Sequence, residues 1–441
     1  MKKYIIAAVV LVVALAIAPV AIGKLAERRI NDNLDKLLIE VPFLSISQRE
    51  FHGGWFNSEL DVTFELFSGL LPGRGDGVPR LTVHNDIRHG PILGSGIGLA
   101  RVKSHVVITD AEMRRELEKI FGDDQPFDIN TVIGFSGGAR TVVSSDASMY
   151  ETKEDKFDWD ALKLVIDSSS DGGAFTIDGS WPRFESKSSN GSSVAVRGMR
   201  MTGSGKRIVG DLFDSDVEFA VEEMRLEEAE KVVSFEKLHY VASTDQKGDF
   251  LDMGFRLGSG AIKANTVNLR EAHYDLTIRH VHAASFDKVM SAMKASFGDT
   301  KNASSNFQSN KDAENRDVLE FLKHDPELAI DRIAIATEEG EGIIKGTIRL
   351  RGVTLEDLQA SGLGLLTKVV ADIDVDISEA MLAKLAGSTE SADGVVHEGL
   401  AERKDGHLVS KILFQDGKLT INGKEQAIPG LGGPAPQPAV E

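Results

Sequence analysis

The chain has 441 residues, of which 41% are hydrophobic and 27% are charged, so it can bury a core and is too apolar for general disorder. It contains no cysteine, which excludes disulfide bonds, thiolate nucleophiles and cysteine-ligated metal sites. The formal net charge of −18, without a basic stripe in the sequence, argues against nucleic-acid binding.

The N-terminal segment 1–23 is predicted to be a transmembrane anchor. Residues 4–23 carry no charge, and a helix of that length spans about 30 Å, the hydrocarbon thickness of a bilayer. The alternative is a cleaved signal peptide, but its apolar region is shorter, and Pro19 follows the candidate cleavage site. Lys2 and Lys3 favour a cytoplasmic N-terminus. We therefore expect a single-pass protein of the bacterial inner membrane with its bulk in the periplasm.

After the anchor, the pattern predicts one helix and then many strands. Residues 24–41 place apolar side chains on one helical face, which predicts a stalk helix. From Phe56 to Leu66 apolar and polar residues alternate, as in a half-buried strand, and this alternation recurs along the chain. The predicted fold class is α+β, mostly β: a transmembrane helix and a stalk helix, then a long twisted antiparallel sheet body with a few covering helices.

Composition divides the predicted β-rich body into two parts. The stretch 298–316 is polar and rich in Asn and Ser, which predicts a linker or an insertion. It separates an N-terminal β-rich part at 42–297 from a C-terminal β-rich part at 317–427. Residues 428–441 are predicted to be a disordered tail.

Two strands of the C-terminal part are predicted to lie side by side. One carries Asp372, Asp374 and Asp376 on one face, and the other carries Lys345, Arg349 and Arg351 on one face. Like charges at this spacing repel unless they are neutralised. We therefore expect the two strands to pair with their charges matched.

The segment Gly134–Gly138 matches the G-x-S-x-G motif, in which Ser136 would be the nucleophile of a serine hydrolase. That motif needs a strand before it and a helix after it, whereas the residues that follow favour a strand. A glycine-rich turn between strands is the preferred interpretation, and a serine hydrolase is the alternative.

His280 and His282 form an H-x-H pair that continues the alternation of a predicted strand. Two imidazoles at this spacing can share a metal ion, but a third ligand must converge from elsewhere. The sequence identifies no third ligand. We therefore expect a polar end to the strand, with no metal and no cofactor.

Three short motifs, in this order, resemble those of YdgA-type bacterial proteins of unknown function. They are Gly54-Trp55-Phe56-x-Ser58, then His89-Gly90-Pro91, and then Asp416-Gly417 followed by Asn422-Gly423. The resemblance implies an inner-membrane protein of Gram-negative bacteria with a periplasmic bulk. It carries over no catalytic residues, so these positions are family-signature residues of unknown role.

The expected function is a non-enzymatic role in the bacterial envelope, as a scaffold or interaction protein. The alternative is a lipid-binding or lipid-relay protein with an apolar β-groove, resembling AsmA-like proteins, which rests on analogy of architecture. Expected partners are the inner membrane through residues 4–23, a lipid or an envelope protein, and a second copy of the chain. Strands with one apolar face are compatible with both an open groove and a filled core.

Overall fold

The structure is a computed structural model. It describes residues 44–54, 57–66, 80–90, 92–94, 96–108, 127–228, 231–265, 267–298, 311–359, 363–386 and 390–426, with residues 111, 114, 115, 118 and 388. In these ranges antiparallel strands dominate and helices are few, which confirms the mostly β fold class. No helix within them is long and apolar enough to cross a membrane. The predicted anchor and stalk helix lie outside the described residues.

The chain divides into two compact units. Unit 1 comprises Met1–Arg207, Phe219–Glu230 and Ser291–Phe307, and unit 2 comprises Ile208–Glu218, Lys231–Met290 and Gln308–Glu441. The chain passes between the units within two long strands, Ser193–Val209 and Leu212–Glu228. The predicted boundaries of the linker and of the two β-rich parts stay predictions.

Unit 1 is built from antiparallel strands. They are β1 (Leu44–Gly53), β2 (Asn57–Leu66), β3 (Arg80–His89), β4 (Ala100–Ile108), β5 (Asp128–Ile133), β6 (Ala139–Ser145), β7 (Ser148–Glu151), β8 (Asp155–Trp159), β9 (Leu162–Ser168), β10 (Ala174–Ser188), and parts of β11 (Ser193–Val209) and β12 (Leu212–Glu228). Strands β1 to β6 pair in sequence order, and β9, β10 and β11 follow. The β7–β8 hairpin pairs with the second half of β10.

Alternation along these strands builds a filled core in unit 1. In β2 the side chains of Leu60, Val62 and Phe64 are buried, as the predicted strand required. They join a cluster of buried side chains from β3 to β10 that includes Trp159 and Trp181. Each indole Nε1 donates to a backbone carbonyl, so burial leaves neither polar group unsatisfied.

Unit 2 contains the remaining strands and the helices. The strands are β13 (Lys231–Lys247), β14 (Phe250–Ser259), β15 (Ala261–Ala264), β16 (Val267–Leu269), β17 (Glu271–His282), β18 (Glu327–Ala336), β19 (Glu341–Leu350), β20 (Val369–Ser378), β21 (Glu402–Lys404), β22 (His407–Gln415), β23 (Lys418–Ile421) and β24 (Lys424–Gln426). The helices are α1 (Ala283–Gly298, which the unit boundary divides), α2 (Lys311–Leu322), α3 (Leu355–Gln359), α4 (Leu363–Leu366), α5 (Glu379–Ala386) and α6 (Glu390–His397).

The main sheet of unit 2 has the order β13-β14-β17-β18-β19-β20-β22-β23-β24, with all pairs antiparallel. Two register shifts interrupt it. In β17 the residues Arg279 and His280 oppose the single residue Asp252, and His280 has φ of 59°. In β18 one extra residue lies between Ile330 and Ile333. Both shifts are β-bulges, which reset the alternation of side chains along a strand.

The predicted pairing of the acidic and basic strands is confirmed. Strand β19 pairs with β20, and Lys345 lies directly opposite Asp374. The expected matching of charges differs, because the Lys411 ammonium on β22 forms ion pairs with Asp372 and with Asp374 (3.1 Å). The cation that pairs with these aspartates therefore comes from β22, which flanks β20 on the side opposite to β19.

Truncation of an apolar side chain should cost more stability in the filled core of unit 1 than on the less buried sheet of unit 2. Ile129 is 2% exposed in the core of unit 1, whereas Ile330 is only half-buried in unit 2. Replacing Ile129 with Ala should lower the free energy of unfolding by about 2–5 kcal/mol. Replacing Ile330 with Ala should cost about half as much or less, because less apolar area leaves water. Urea unfolding of the two variants checks this, and equal losses would contradict it.

Candidate functional site

Two signature motifs converge at one end of the unit 1 sheet. Ser58 at the start of β2 is buried, and its Oγ lies 3.0 Å from Nε2 of His89 at the end of β3. The Gly54 amide also donates to Ser58 Oγ, at 3.4 Å. The side chain of Ser58 thus ties together two loops that are far apart in sequence. Burial of this hydroxyl favours a role in positioning the loops.

The next signature position, Gly90, permits a close approach of two backbone segments. Its amide donates to the Leu99 carbonyl at 2.7 Å. A methyl group on Gly90 would lie 1.8 Å from the carbonyl oxygen of Gly98, which no side chain tolerates without movement. Trp55, Phe56 and Pro91 complete these two motifs in sequence and lie outside the described residues.

The C-terminal signature residues form two tight turns in unit 2. Asp416 and Gly417 have φ of 53° and 73° and connect β22 to β23, which confirms the predicted hairpin. Asn422 and Gly423 have φ of 49° and 76° and connect β23 to β24. Positive φ at both central positions is typical of type I′ turns, which favour Asn-Gly and Asp-Gly. These positions therefore direct the backbone, and they lie in a different unit from Ser58.

Ser136 lies in the turn between β5 and β6. The residues after it, Ala139–Ser145, form a strand, so the helix that a nucleophile elbow requires is missing. The Gly137 φ of 84° and the hydrogen bond from the Gly134 amide to the Gly138 carbonyl describe a hairpin turn instead. The turn interpretation is confirmed, and the structural basis for Ser136 as an elbow nucleophile is absent at this turn.

The largest candidate site is a surface of unit 2 that we call the apolar face. It consists of three cross-strand rows of side chains that run from β13 or β14 to β20, β22 or β23. The rows are Ala242-Phe255-Leu276-Ile330-Gly346-Ile373-Ile412-Ile421; Met253-Ile278-Leu328-Ile348-Ala371-Phe414-Leu419; and Tyr240-Leu257-Tyr274-Ile333-Ile344-Val375.

The apolar face is only partly buried. Of the residues in its rows, Ile421 alone is buried in the described structure. Phe255, Leu257, Tyr274 and Ile278 are 36–44% exposed, and the other members are half-buried. In unit 2 the apolar side of the strands is thus a partly exposed surface among the described residues.

Helices cover both ends of the apolar face. At one end Phe286 of α1 and Phe321 of α2 pack against a cluster with Leu251, Val281 and Met253. At the other end Met381 of α5 lies over Gly342, whose added Cβ would be 2.7 Å from Met381 Cε. Leu408 of β22 packs with α5 and α6. The most exposed members of the three rows, Phe255, Leu257, Tyr274 and Ile278, lie on β14 and β17.

Three histidines meet where α1 and α2 join the sheet. His282 directly precedes α1, and His324 follows α2; their rings stack at a centroid distance of 3.9 Å. The ring of His280 stacks on Phe250 at 4.1 Å, and its Nδ1 donates to the His324 carbonyl at 2.7 Å. His280 sits in the β17 bulge, so the predicted alternation through His280 and His282 is wrong there.

Burial lowers the pKa of His324, and the nearby imidazoles of His282 and His280 lower it further. The Glu320 carboxylate acts in the opposite direction but does not offset these effects, so the pKa of His324 stays lowered. Within the described ranges no group of three or more His, Asp or Glu side chains is arranged to hold a metal ion. The cluster is better described as a packed junction. The third histidine, His324, could not be assigned from sequence because it lies 42 residues after His282.

Comparison with known proteins gives a family of unknown function. The model of the family described as bacterial protein of unknown function (DUF945) matches residues 1–429. Protein YdgA of Escherichia coli (strain K12) is 25% identical over 141 residues, which cover 31% of this chain and 28% of YdgA. The chain therefore aligns with under a third of that relative's length. No solved structure matches the chain. These matches confirm the resemblance of the chain to YdgA-type proteins.

Substitution of Gly90 with Ala should destabilise unit 1 by about 1–3 kcal/mol, because the new methyl group overlaps the Gly98 carbonyl. Gly394 in α6 is the control, since a Cβ there meets nothing within 4 Å and helix propensity favours Ala. Urea unfolding measures both variants. If Gly90→Ala is as stable as Gly394→Ala, the close approach is not a constraint.

Acidification should loosen the end of α2. Because the pKa of His324 is lowered from 6.5, the unfolded state binds a proton before the folded state does, and stability falls as pH drops below 6.5. Hydrogen exchange at residues 315–322 should accelerate between pH 7.5 and pH 5.5, and His324→Gln should remove this dependence. A pH-independent exchange rate, after correction for intrinsic exchange, would contradict the assignment.

His84 in unit 1 is an internal control, because its effect on stability should change with pH in the opposite direction to that of His324. Its Nδ1 lies 2.5 Å from Asp61 Oδ1, and this hydrogen bond raises the pKa of His84 above 6.5. The pairing therefore contributes fully below pH 6.5, and its contribution is lost as pH rises through the raised pKa. Asp61→Asn should weaken that dependence in urea unfolding measured across this pH range, and Asp86, which also raises the pKa of His84, should retain part of it.

Proposed function

Because the chain belongs to the DUF945 family of bacterial proteins of unknown function, we propose its function from the site itself: the apolar face of unit 2 binds the acyl chains of lipid. The observation that carries the proposal is the partial exposure of three continuous apolar rows. A soluble surface rarely exposes a contiguous apolar patch of this extent unless it meets a ligand, a protein or a membrane.

The dimensions of the apolar face suit acyl chains. Its central row crosses eight strands, and seven interstrand spacings of about 4.8 Å give a length of about 34 Å. One leaflet of a bilayer contributes about 15 Å of hydrocarbon. An acyl chain laid along the rows would therefore find apolar contacts over its whole length.

The chemistry of the apolar face also suits hydrocarbon. Its rows contain aliphatic and aromatic side chains, with ring contacts from Phe255 to Tyr240 (5.1 Å) and to Tyr274 (6.1 Å). The opposite face of the same strands carries charges such as Lys345, Asp374 and Lys411. A lipid tail would thus meet one side of the sheet, while the other side stays solvated.

The proposed cellular setting follows from the sequence. The uncharged run at residues 4–23 would anchor the protein in the inner membrane, with unit 2 in the periplasm and close to a source of lipid. The proposed role is non-enzymatic, either lipid holding or lipid relay. The scaffold or interaction role, the function first expected from the sequence, is the second candidate, and in that role an envelope protein would cover the same face.

Photocrosslinking tests the lipid proposal. The full chain is purified, reconstituted in nanodiscs and exposed to a phospholipid with a photoreactive group at the end of one acyl chain. Mass spectrometry should map crosslinks to β14, β17 and β18, separately from any at residues 4–23. Ile278→Asp should reduce the crosslinks in unit 2 about tenfold. Contact of the new carboxylate with an acyl chain should cost more than about 1.4 kcal/mol of binding free energy.

Leu413→Asp is the matched control. Leu413 and Ile278 are both 39% exposed, but Leu413 lies opposite Asp372 on the charged face. The control variant should therefore keep the wild-type crosslinks, and the urea midpoints of both variants verify folding. Crosslinks confined to residues 4–23, or an equal loss in both variants, would overturn lipid binding. Protein–protein crosslinks on Tyr274 or Ile278 would favour the scaffold role.

A further inference from the structure

A second exposed apolar surface lies in unit 1, far in sequence from the apolar face. We call it the apolar tip, and it consists of Ile92, Ile97, Leu99 and Phe135. These side chains are 76%, 73%, 46% and 58% exposed. They belong to the loops that follow β3 and β5, at the end of the sheet where Ser58 meets His89.

The backbone holds the apolar tip out of the core. Ile92 and Ile97 face each other in an isolated antiparallel bridge, and the Leu93 amide donates to the Gly96 carbonyl at 3.0 Å. The side chain of Leu93 is buried, 1% exposed, and anchors this small hairpin. The Leu99 amide donates to the Ile133 carbonyl at 2.8 Å, which ties the loop to the end of β5. These backbone contacts and the buried Leu93 side chain hold the tip residues in exposed positions.

The loops of the apolar tip carry no formal charge. Residues 89–99 and 134–138 contain no Asp, Glu, Lys or Arg, in a chain whose charged fraction is 27%. An uncharged loop with two protruding isoleucines and a phenylalanine is suited to an apolar environment. Transfer of such side chains from water is favourable by about 1.5–3 kcal/mol each when burial is complete.

A row of arginines lies directly beneath the tip on the solvent face. Arg88 is paired in register with Arg101, and Arg101 continues through Val132 to Arg140. Of these, Arg140 pairs with Asp167 at 2.9 Å, and Arg101 donates to the Asn130 amide oxygen. Like charges directly opposite each other on neighbouring strands are unfavourable. From β3 to β9 this register row holds three guanidinium groups and one carboxylate, that of Asp167, in a protein of net charge −18.

Acidic side chains lie one step further from the tip. On the same face, about 7 Å along the strands from Arg88, the next row holds Glu59, Asp86 and Lys103. The order from the tip is therefore apolar, then basic, then a row of both signs in which carboxylates outnumber cations. This order complements one leaflet boundary, where hydrocarbon is followed by anionic phosphate and then by water.

We propose that the apolar tip and the row of Arg88, Arg101 and Arg140 form a membrane-contact surface that inserts into an anionic bilayer. The isoleucines and Phe135 would enter the interfacial region, and the guanidinium groups would meet lipid phosphates. This surface is independent of acyl-chain binding by unit 2. It would give a protein anchored at its N-terminus a second contact with the membrane surface.

The absence of cysteine permits a site-specific test in the full chain. Ile97→Cys is labelled with an environment-sensitive fluorophore and reconstituted in vesicles of phosphatidylethanolamine and phosphatidylglycerol, or of phosphatidylcholine alone. We expect a blue-shifted emission that spin-labelled lipid quenches, in the anionic vesicles. Met149→Cys is the control, because Met149 is 61% exposed on β7, away from the tip.

A charge variant tests the arginine row. Arg88→Gln, in the labelled Ile97→Cys background, should lower the ratio of buried to exposed label about fivefold in anionic vesicles, which corresponds to about 1 kcal/mol for one cation at the surface. Arg225→Gln, elsewhere in unit 1, should leave that ratio unchanged. Iodide quenching at position 97 equal to that at position 149 in both kinds of vesicle would overturn the proposal. So would protection of the label that appears only when other proteins are added.

Discussion

The register of the antiparallel ladder in unit 2 is the constraint on which its apolar face depends. Side chains alternate between the two faces of a strand, so a shift of one residue would exchange apolar for charged side chains. Two β-bulges, in β17 and β18, shift the register so that apolar side chains stay on one face. The β17 bulge is held by the His280 amide, which donates to Asp252 at 3.0 Å, and the β18 bulge lets Ile330 and Ile333 share a face. Rows of apolar residues can then align across many strands.

Strands in both units alternate apolar and polar side chains, but the apolar sides are buried to different extents. In unit 1 the apolar sides of β2 to β10 enclose one another, and residues such as Val62 and Ile133 are almost wholly buried. Among the described residues of unit 2, helices α1, α2, α5 and α6 pack near the two ends of the strands that form the apolar rows. The rows themselves are left half-exposed, and this difference in burial makes unit 2 the better candidate for an apolar ligand.

The described signature residues shape loops and turns. Gly90 allows two loops to approach, Ser58 joins those loops through His89, and Asp416-Gly417 and Asn422-Gly423 turn the chain between strands. None of these roles requires a reaction. In unit 1, however, the same residues fix the loop that carries Ile92 and Ile97, so a structural signature also positions an exposed apolar surface.

The sequence alone determined the local structure. Alternation predicted the strands, Asp416-Gly417 predicted a hairpin, and the residues after Ser136 predicted a strand in place of a helix, because these signals depend on near neighbours. Only the tertiary structure decided which rows are covered, that Lys411 rather than Lys345 forms ion pairs with Asp374, and that Ser58 meets His89. Periodicity in the sequence shows only that a strand has an apolar side. Burial of that side and pairing between distant strands depend on how the whole chain packs.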